Sequence, residues 1–294
     1  MRKYLSSSIV LLSIAFLLYY LWSKKLLDFS VFKWNWTLLL SFFFLFAGFI
    51  GSGLSWWYTL KAHHIHVSPL YGIKTHGLPI FTKYIPGKVM TILGRAALVS
   101  NQTKTSVGTL SFISLKEQLV YLIVGLSISF IPSIFTYGLS WITLFLVLTI
   151  LGLVLIVFNQ TTHKILTLFI SKIKKKPIDL PLISISNGLK LSYFNILTWL
   201  LWTLGFYFFG LSVSDQMLWH RAFVFPLGVT YGVLAILMPG GIGVRESIFT
   251  GYLTLSGMDL NTAITISVAS RLWFMSGEVF IFIFSLVIRT KTKH

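Results

Sequence analysis

The sequence predicts an all-α polytopic membrane protein: one domain over residues 1–294, about eight transmembrane helices, and both termini in the cytoplasm. Three observations predict it. First, 55% of the 294 residues are hydrophobic and only 11% are charged, whereas a soluble domain carries roughly 25% charged residues. Second, long apolar runs recur from Leu5 to Ile288, mean hydropathy is +0.83, and no polar stretch is long enough for a separate soluble domain. Third, the net charge of +17 is not spread over a face. The basic residues gather at the ends of apolar segments and between them, as in cytoplasmic loops of membrane proteins. That placement argues for loops beside anionic lipid and against nucleic acid as a partner.

Met1-Arg2-Lys3 precedes an apolar run over 5–22. A signal peptide has an apolar core of about 7–15 residues and a small-residue cleavage site. This run is longer and ends in Trp22-Ser23-Lys24-Lys25, so it reads as a retained first span. The second span covers 36–58, where Gly48, Gly51 and Gly53 allow close approach of another helix. Between Lys61 and Lys104 the chain mixes His63, His64, His66, His76, four further basic residues and Pro86-Gly87 with apolar pieces around 69–81 and 89–99. Each piece is shorter than the roughly 20 residues a span needs. A helical hairpin at 68–100 is expected, lying in the interface or re-entering the membrane.

The third and fourth spans cover 106–131 and 138–158. At 163–176, Lys164, Thr167, Ser171 and Lys174 share one helical face opposite apolar residues, which suits a helix resting on the membrane surface. After Pro177 and Pro181 come a fifth span at 189–209, a short sixth at 223–237, a short seventh at 242–255 and an eighth at 263–288. Loop basicity places the termini, 61–104 and 164–190 inside; Lys24, Lys25 and Lys33 run against that assignment.

The sixth and seventh spans are separated by Pro239-Gly240-Gly241-Ile242-Gly243-Val244-Arg245-Glu246. Proline has no backbone N–H and glycine adopts angles other residues avoid, so one helix stops here and another begins. In lipid, opened backbone beside two charges survives only where protein or a wet cavity surrounds it. A broken segment is therefore expected at 237–246, with Pro239, Gly240, Gly241 and Gly243 as its turn. A faint echo exists earlier: Pro86-Gly87 leads to Gly94-Arg95 as Pro239-Gly240 leads to Gly243-Arg245. Paired broken segments mark the transport site in several transporter folds.

Of seven acidic residues, three lie within apolar spans or at their broken ends: Glu117, Glu246 and Glu278. A charge at mid-bilayer costs at least about 2.5–3.5 kcal/mol on insertion scales. Lys116, Arg245 and Arg271 are basic partners at hand. Arg271 and Glu278 share a helical face but stand about 10 Å apart at 1.5 Å per residue, so each should face a different partner across one cavity. These charges have two readings. Either they pair to hold helices together, or their cations line a pocket for an anionic headgroup, which arginine suits through its planar fork. Backbone N–H groups at the helix start after Gly243 would add to such a pocket.

No catalytic or metal chemistry is legible. Without cysteine there are no disulfides or thiolate metal sites. The histidines lack an H-E-x-x-H pattern and read as a loop cluster, and neither Gly-x-Ser-x-Gly nor a phosphate-binding Gly-Lys-Ser/Thr loop occurs. No cofactor and no metal are expected.

At Lys83-Tyr84-Ile85-Pro86-Gly87-Lys88-Val89, Gly94-Arg95 and Pro239 through Glu246, the chain resembles the transmembrane region of lysylphosphatidylglycerol synthases, a flippase-like family with stand-alone members. Glu117 matches an intramembrane glutamate of that family, and Arg271, Leu272 and Glu278 match its late Arg-Leu…Glu helix. The resemblance implies a multi-pass protein of the cell (inner) membrane that moves lipid headgroups between leaflets. The chain stops at His294 without the synthases' aminoacyl-transfer domain, so transport rather than synthesis is expected. Expected contacts to an anionic lipid, either a phospholipid or a polyprenyl-phosphate-linked glycan, are Lys88, Arg95, Arg245 and Arg271. Glu117, Glu246 and Glu278 would balance those charges or meet a cationic headgroup. Expected protein partners are a second copy of the chain or enzymes of lipid or glycan assembly. The alternatives are an integral-membrane enzyme using Glu246 or Glu278 as general base, and an ion-coupled exporter with Glu117 and Glu278 carrying protons.

Overall fold

The long apolar runs form helices, because in hydrocarbon a backbone must satisfy its own N–H and C=O groups. The computed structural model describes residues 34–84, 89–161, 164–165, 167–168, 185–235 and 241–289, and every regular element among them is helical. Five helices are long and apolar enough to cross a membrane. They are α1 (Trp36–Ala62), α4 (Val107–Tyr137), α5 (Trp141–Phe158), α6 (Ile185–Val213) and α9 (Leu260–Val287). Between them lie α2 (Pro69–Gly77), α3 (Val89–Ser100), α7 (Val224–Leu234) and α8 (Val244–Leu255), with 3₁₀ turns at Ile80–Tyr84 and Trp219–Phe223. The expected first span, the surface helix at 163–176 and both termini fall wholly or largely outside the described residues.

Side-chain caps set the starts of several helices. Asn35, Ser68, Ser106, Ser140 and Asp259 each accept a backbone N–H of the first turn of α1, α2, α4, α5 and α9. The third span was expected to end at Ile131, before Pro132. Instead α4 runs six residues further, to Tyr137, and stops at Gly138, whose φ is +63°. Proline removes its own N–H from the ladder and crowds the preceding turn, and α4 accommodates both within its last two turns.

At the centre, α1 packs along α6, and α2 and α9 pack against α1. The three glycines of α1 make the close approach possible. A Cβ at Gly48 would fall 2.3 Å from the Trp202 ring, one at Gly51 2.9 Å from Thr198 of α6, and one at Gly53 3.0 Å from Ile73 of α2. Trp202 also donates to the Leu45 carbonyl across the same crossing (3.1 Å). Gly48→Ala should therefore displace the indole and lower stability by about 1–3 kcal/mol, the usual range for overpacking a tight core. Thermal unfolding of the detergent-solubilised protein checks this: an unchanged midpoint would mean that the crossing is loose.

The two irregular regions are short broken helices, as expected. From Tyr71 to Tyr84 the first of them packs into the bundle, while Leu70 at its start is 51% exposed. Gly77 abuts Ile281 and Ser285 of α9, and Tyr84 reaches Glu278. Glu278 sits nine residues before the end of α9, about 14 Å along its axis. The second break separates α7 and α8, of 11 and 12 residues, each too short to span alone.

Candidate functional site

The broken segments bring charge into the bundle, and each buried charge needs a partner. Glu117 on α4 accepts a 3.0 Å ion pair from Arg95 of α3, whose other amino group reaches Gln118 at 3.3 Å. Glu278 on α9 is 1% exposed. One of its oxygens is paired with Lys83 and the other accepts from the Tyr84 hydroxyl at 2.8 Å. Glu246, in the first turn of α8, pairs with Arg271 of α9 and also accepts the Gly243 N–H at 2.7 Å. Arg271 and Glu278 thus face different partners, as their separation on one helix requires.

Glu117 pairs with Arg95 and not with its sequence neighbour Lys116, a correction with a simple cause. Successive residues on a helix point about 100° apart. Lys116 is buried on another side of α4, with its ammonium 4.9 Å from the Phe112 ring.

Arg245 is the exception among the buried arginines of the two broken segments. Its guanidinium stands 5.3, 4.9 and 5.2 Å from the rings of Phe225, Phe249 and Phe274. One amino group lies 3.4 Å from both the carbonyl and the hydroxyl of Ser270. Among the described residues it makes no ion pair.

These groups surround one cavity of about 370 Å³, lined by Lys83, Arg95, Glu117, Arg245, Arg271 and Glu278 among others. That size falls in the range of about 300–1,000 Å³ typical of small-molecule sites. Val89 and Leu115 also line it and are 54% and 40% exposed, so apolar side chains stand at its edge between α3 and α4.

Of the residues singled out in the sequence, Arg95, Glu117, Arg245, Arg271 and Glu278 line this cavity. Glu246 stands behind it, holding Arg271 and closing the start of α8. Of the backbone N–H groups expected to receive an anion at that helix start, the one at Gly243 is already taken by the Glu246 carboxylate. Pro86, Gly87, Lys88, Pro239 and Gly240 fall outside the described residues. Gly241 and Gly243 form the turn with φ of +71° and +85°.

Sequence reasoning passed over Lys83, Tyr84, Gln118 and His76 as site residues. Lys83 and Tyr84 had a usable signal, because they begin the Lys-Tyr-Ile-Pro-Gly-Lys motif. His76 looked like one of a loop cluster but stands apart from it, lining the cavity from α2. Its Nδ1 faces Arg95 at 3.4 Å and its Nε2 faces the Ser52 hydroxyl at 3.0 Å. A guanidinium only donates, so Nδ1 accepts and the ring is neutral with its proton on Nε2. Ser52 can accept that proton's bond because its own hydroxyl donates to the Phe49 carbonyl at 2.8 Å. His63 caps the end of α1 instead, and burial pushes its imidazole below the ordinary value. Among the described residues no three His, Cys, Asp or Glu side chains stand close enough together to hold a metal.

A family model described as the lysylphosphatidylglycerol synthase TM region matches residues 5–274 of the chain. No curated protein matches it.

Proposed function

The chain belongs to the lysylphosphatidylglycerol synthase TM region family, and on that premise we propose that it is a translocase carrying an anionic lipid between leaflets of the cell membrane. In a cell with two membranes that is the inner one. One observation carries this reading. Charged side chains from separate elements converge on one cavity whose edge carries the exposed apolar residues Val89 and Leu115. A headgroup can enter such a cavity while its acyl chains stay in hydrocarbon. Buried arginines supply the charge-assisted bonds a phosphate needs in place of water.

The enzyme reading fares worse. A general base must be free to take a proton, yet Glu278 and Glu246 are each held by a cation and a second donor. We propose that the chain is not an enzyme. The ion-coupled reading would need Glu117 or Glu278 to part from Arg95 or Lys83 during the cycle.

The test is transport of a fluorescent-headgroup phosphatidylglycerol in proteoliposomes, read by quenching from outside. Wild type should expose inner-leaflet lipid, and Arg245→Gln should slow this at least about 10-fold, since a hydrogen bond to a charged group contributes about 1.5–3 kcal/mol. Equal rates in wild type and an Arg245→Gln/Arg271→Gln variant would overturn the assignment. A covalently altered lipid in the mass spectrum would favour the enzyme. Transport of a soluble solute that follows an imposed pH gradient would favour the exporter.

A further inference from the structure

We infer that this cavity is selective for a headgroup with one negative charge and no ammonium group, an amine-free phosphodiester lipid. The inference rests on the transport reading in taking the occupant to be a lipid. Its own content is the charge of the headgroup.

The first support is the charge inventory. Among the described residues, four cations line the cavity: Lys83, Arg95, Arg245 and Arg271. Three carboxylates answer them, Glu278, Glu117 and, from behind Arg271, Glu246. His76 adds nothing, because its Nδ1 must accept from Arg95. Among the described residues one positive charge is left, and the geometry assigns it to Arg245, which makes no ion pair with any of them. A single phosphodiester answers that charge. A diphosphate brings at least one negative charge too many, and excess charge is expensive where water is scarce.

The second support concerns amines. An ammonium entering the cavity needs a carboxylate to answer its charge, and the three beside it are in use. Both oxygens of Glu278 and both of Glu246 already accept hydrogen bonds, and Glu117 holds Arg95. The cage of Phe225, Phe249 and Phe274 already holds the Arg245 guanidinium. Cation–π contact steadies that guanidinium but does not neutralise it. A zwitterionic headgroup would satisfy Arg245 and bury an unpaired ammonium in exchange.

The test uses the full chain in detergent and reads binding by intrinsic tryptophan fluorescence, with Trp202 in the cavity wall. The probes are dioctanoyl phosphatidylglycerol, dioctanoyl phosphatidylethanolamine, the lysyl ester of dioctanoyl phosphatidylglycerol, a short-chain prenyl diphosphate, and the chain-free diester glycerophosphoglycerol. Phosphatidylglycerol should bind at least about 10-fold tighter than each of the others. Arg245→Gln should erase its advantage over phosphatidylethanolamine. Glu278→Gln raises the cavity by one positive charge and should turn the preference toward the diphosphate; Glu246→Gln makes the same change of charge should the first variant fold poorly. Wild type preferring the ethanolamine, lysyl or diphosphate probe would overturn the inference. So would a diphosphate preference unmoved in either folded glutamine variant. Glycerophosphoglycerol binding as tightly as the lipid would instead overturn the lipid, leaving a site for soluble phosphodiesters.

Discussion

Glu117→Ala is expected to destabilise the protein by about 3–5 kcal/mol, the range for removing one partner of a buried ion pair. Arg95 and Glu117 are both buried, their contact is 3.0 Å, and the pair sits beside an apolar seam between α3 and α4 that includes Ala96, Val99, Leu110 and Ile113. Without the carboxylate, the guanidinium keeps Gln118 at 3.3 Å, the His76 ring at 3.4 Å and the Trp56 face at 5.4 Å. None of these is an anion. The cost therefore comes from a stranded charge more than from a lost bond. The double variant Arg95→Met/Glu117→Leu should recover most of the loss, because well-packed apolar residues often replace a buried pair at little cost. Unfolding midpoints of the wild type, both single variants and the double variant form the check. Equal losses in Glu117→Ala and in the double variant would mean that the pair contributes through packing alone. The recovered double variant also separates fold from function: if it is stable and still moves lipid at the wild-type rate, the pair serves only to hold helices together.

Gly241→Ala should be the most damaging small substitution in the second broken segment, at roughly 2–5 kcal/mol. Two independent effects add. An L-residue at φ +71° costs about 1–2 kcal/mol. The new Cβ would also stand 2.7 Å from the Gly232 backbone, which cannot rotate away as a side chain could, and overpacking costs about 1–3 kcal/mol more. Gly243→Ala is the control. Its φ of +85° carries the same conformational cost, but nothing lies within 4 Å of its Cβ. Chemical denaturation of the two variants side by side isolates the contact, and an equal loss in both would show that Gly232 yields freely. Because Gly232 lines the cavity, transport by Gly241→Ala should fall with stability.

The spans were legible because hydropathy is a local property. The run read at 36–58 became Trp36–Ala62, and that read at 189–209 became Ile185–Val213. Shortness of the sixth and seventh spans also showed in the sequence, since proline and glycine act within a turn or two of where they stand. The three intramembrane glutamates could be picked out as well, because a charge in an apolar run is conspicuous whatever surrounds it. Their partners could not. Lys116 is adjacent to Glu117 in the chain yet buried on a different side of α4, whereas Arg95, 22 residues earlier, meets it across two helices. Lys83 finds Glu278 over 195 residues of chain.

By itself, then, the amino-acid order determined that the chain is a helical membrane protein, where its two short broken segments lie, and which side chains are too costly to bury without reason. Tertiary structure alone decided which cation answers which carboxylate, that His76 and Tyr84 belong beside them, and that Arg245 is left to three phenyl rings. The division follows from range. Partition into lipid and helix termination depend on a few consecutive residues, while a charge in low dielectric is compensated by whatever the packing of distant helices brings within about 3 Å.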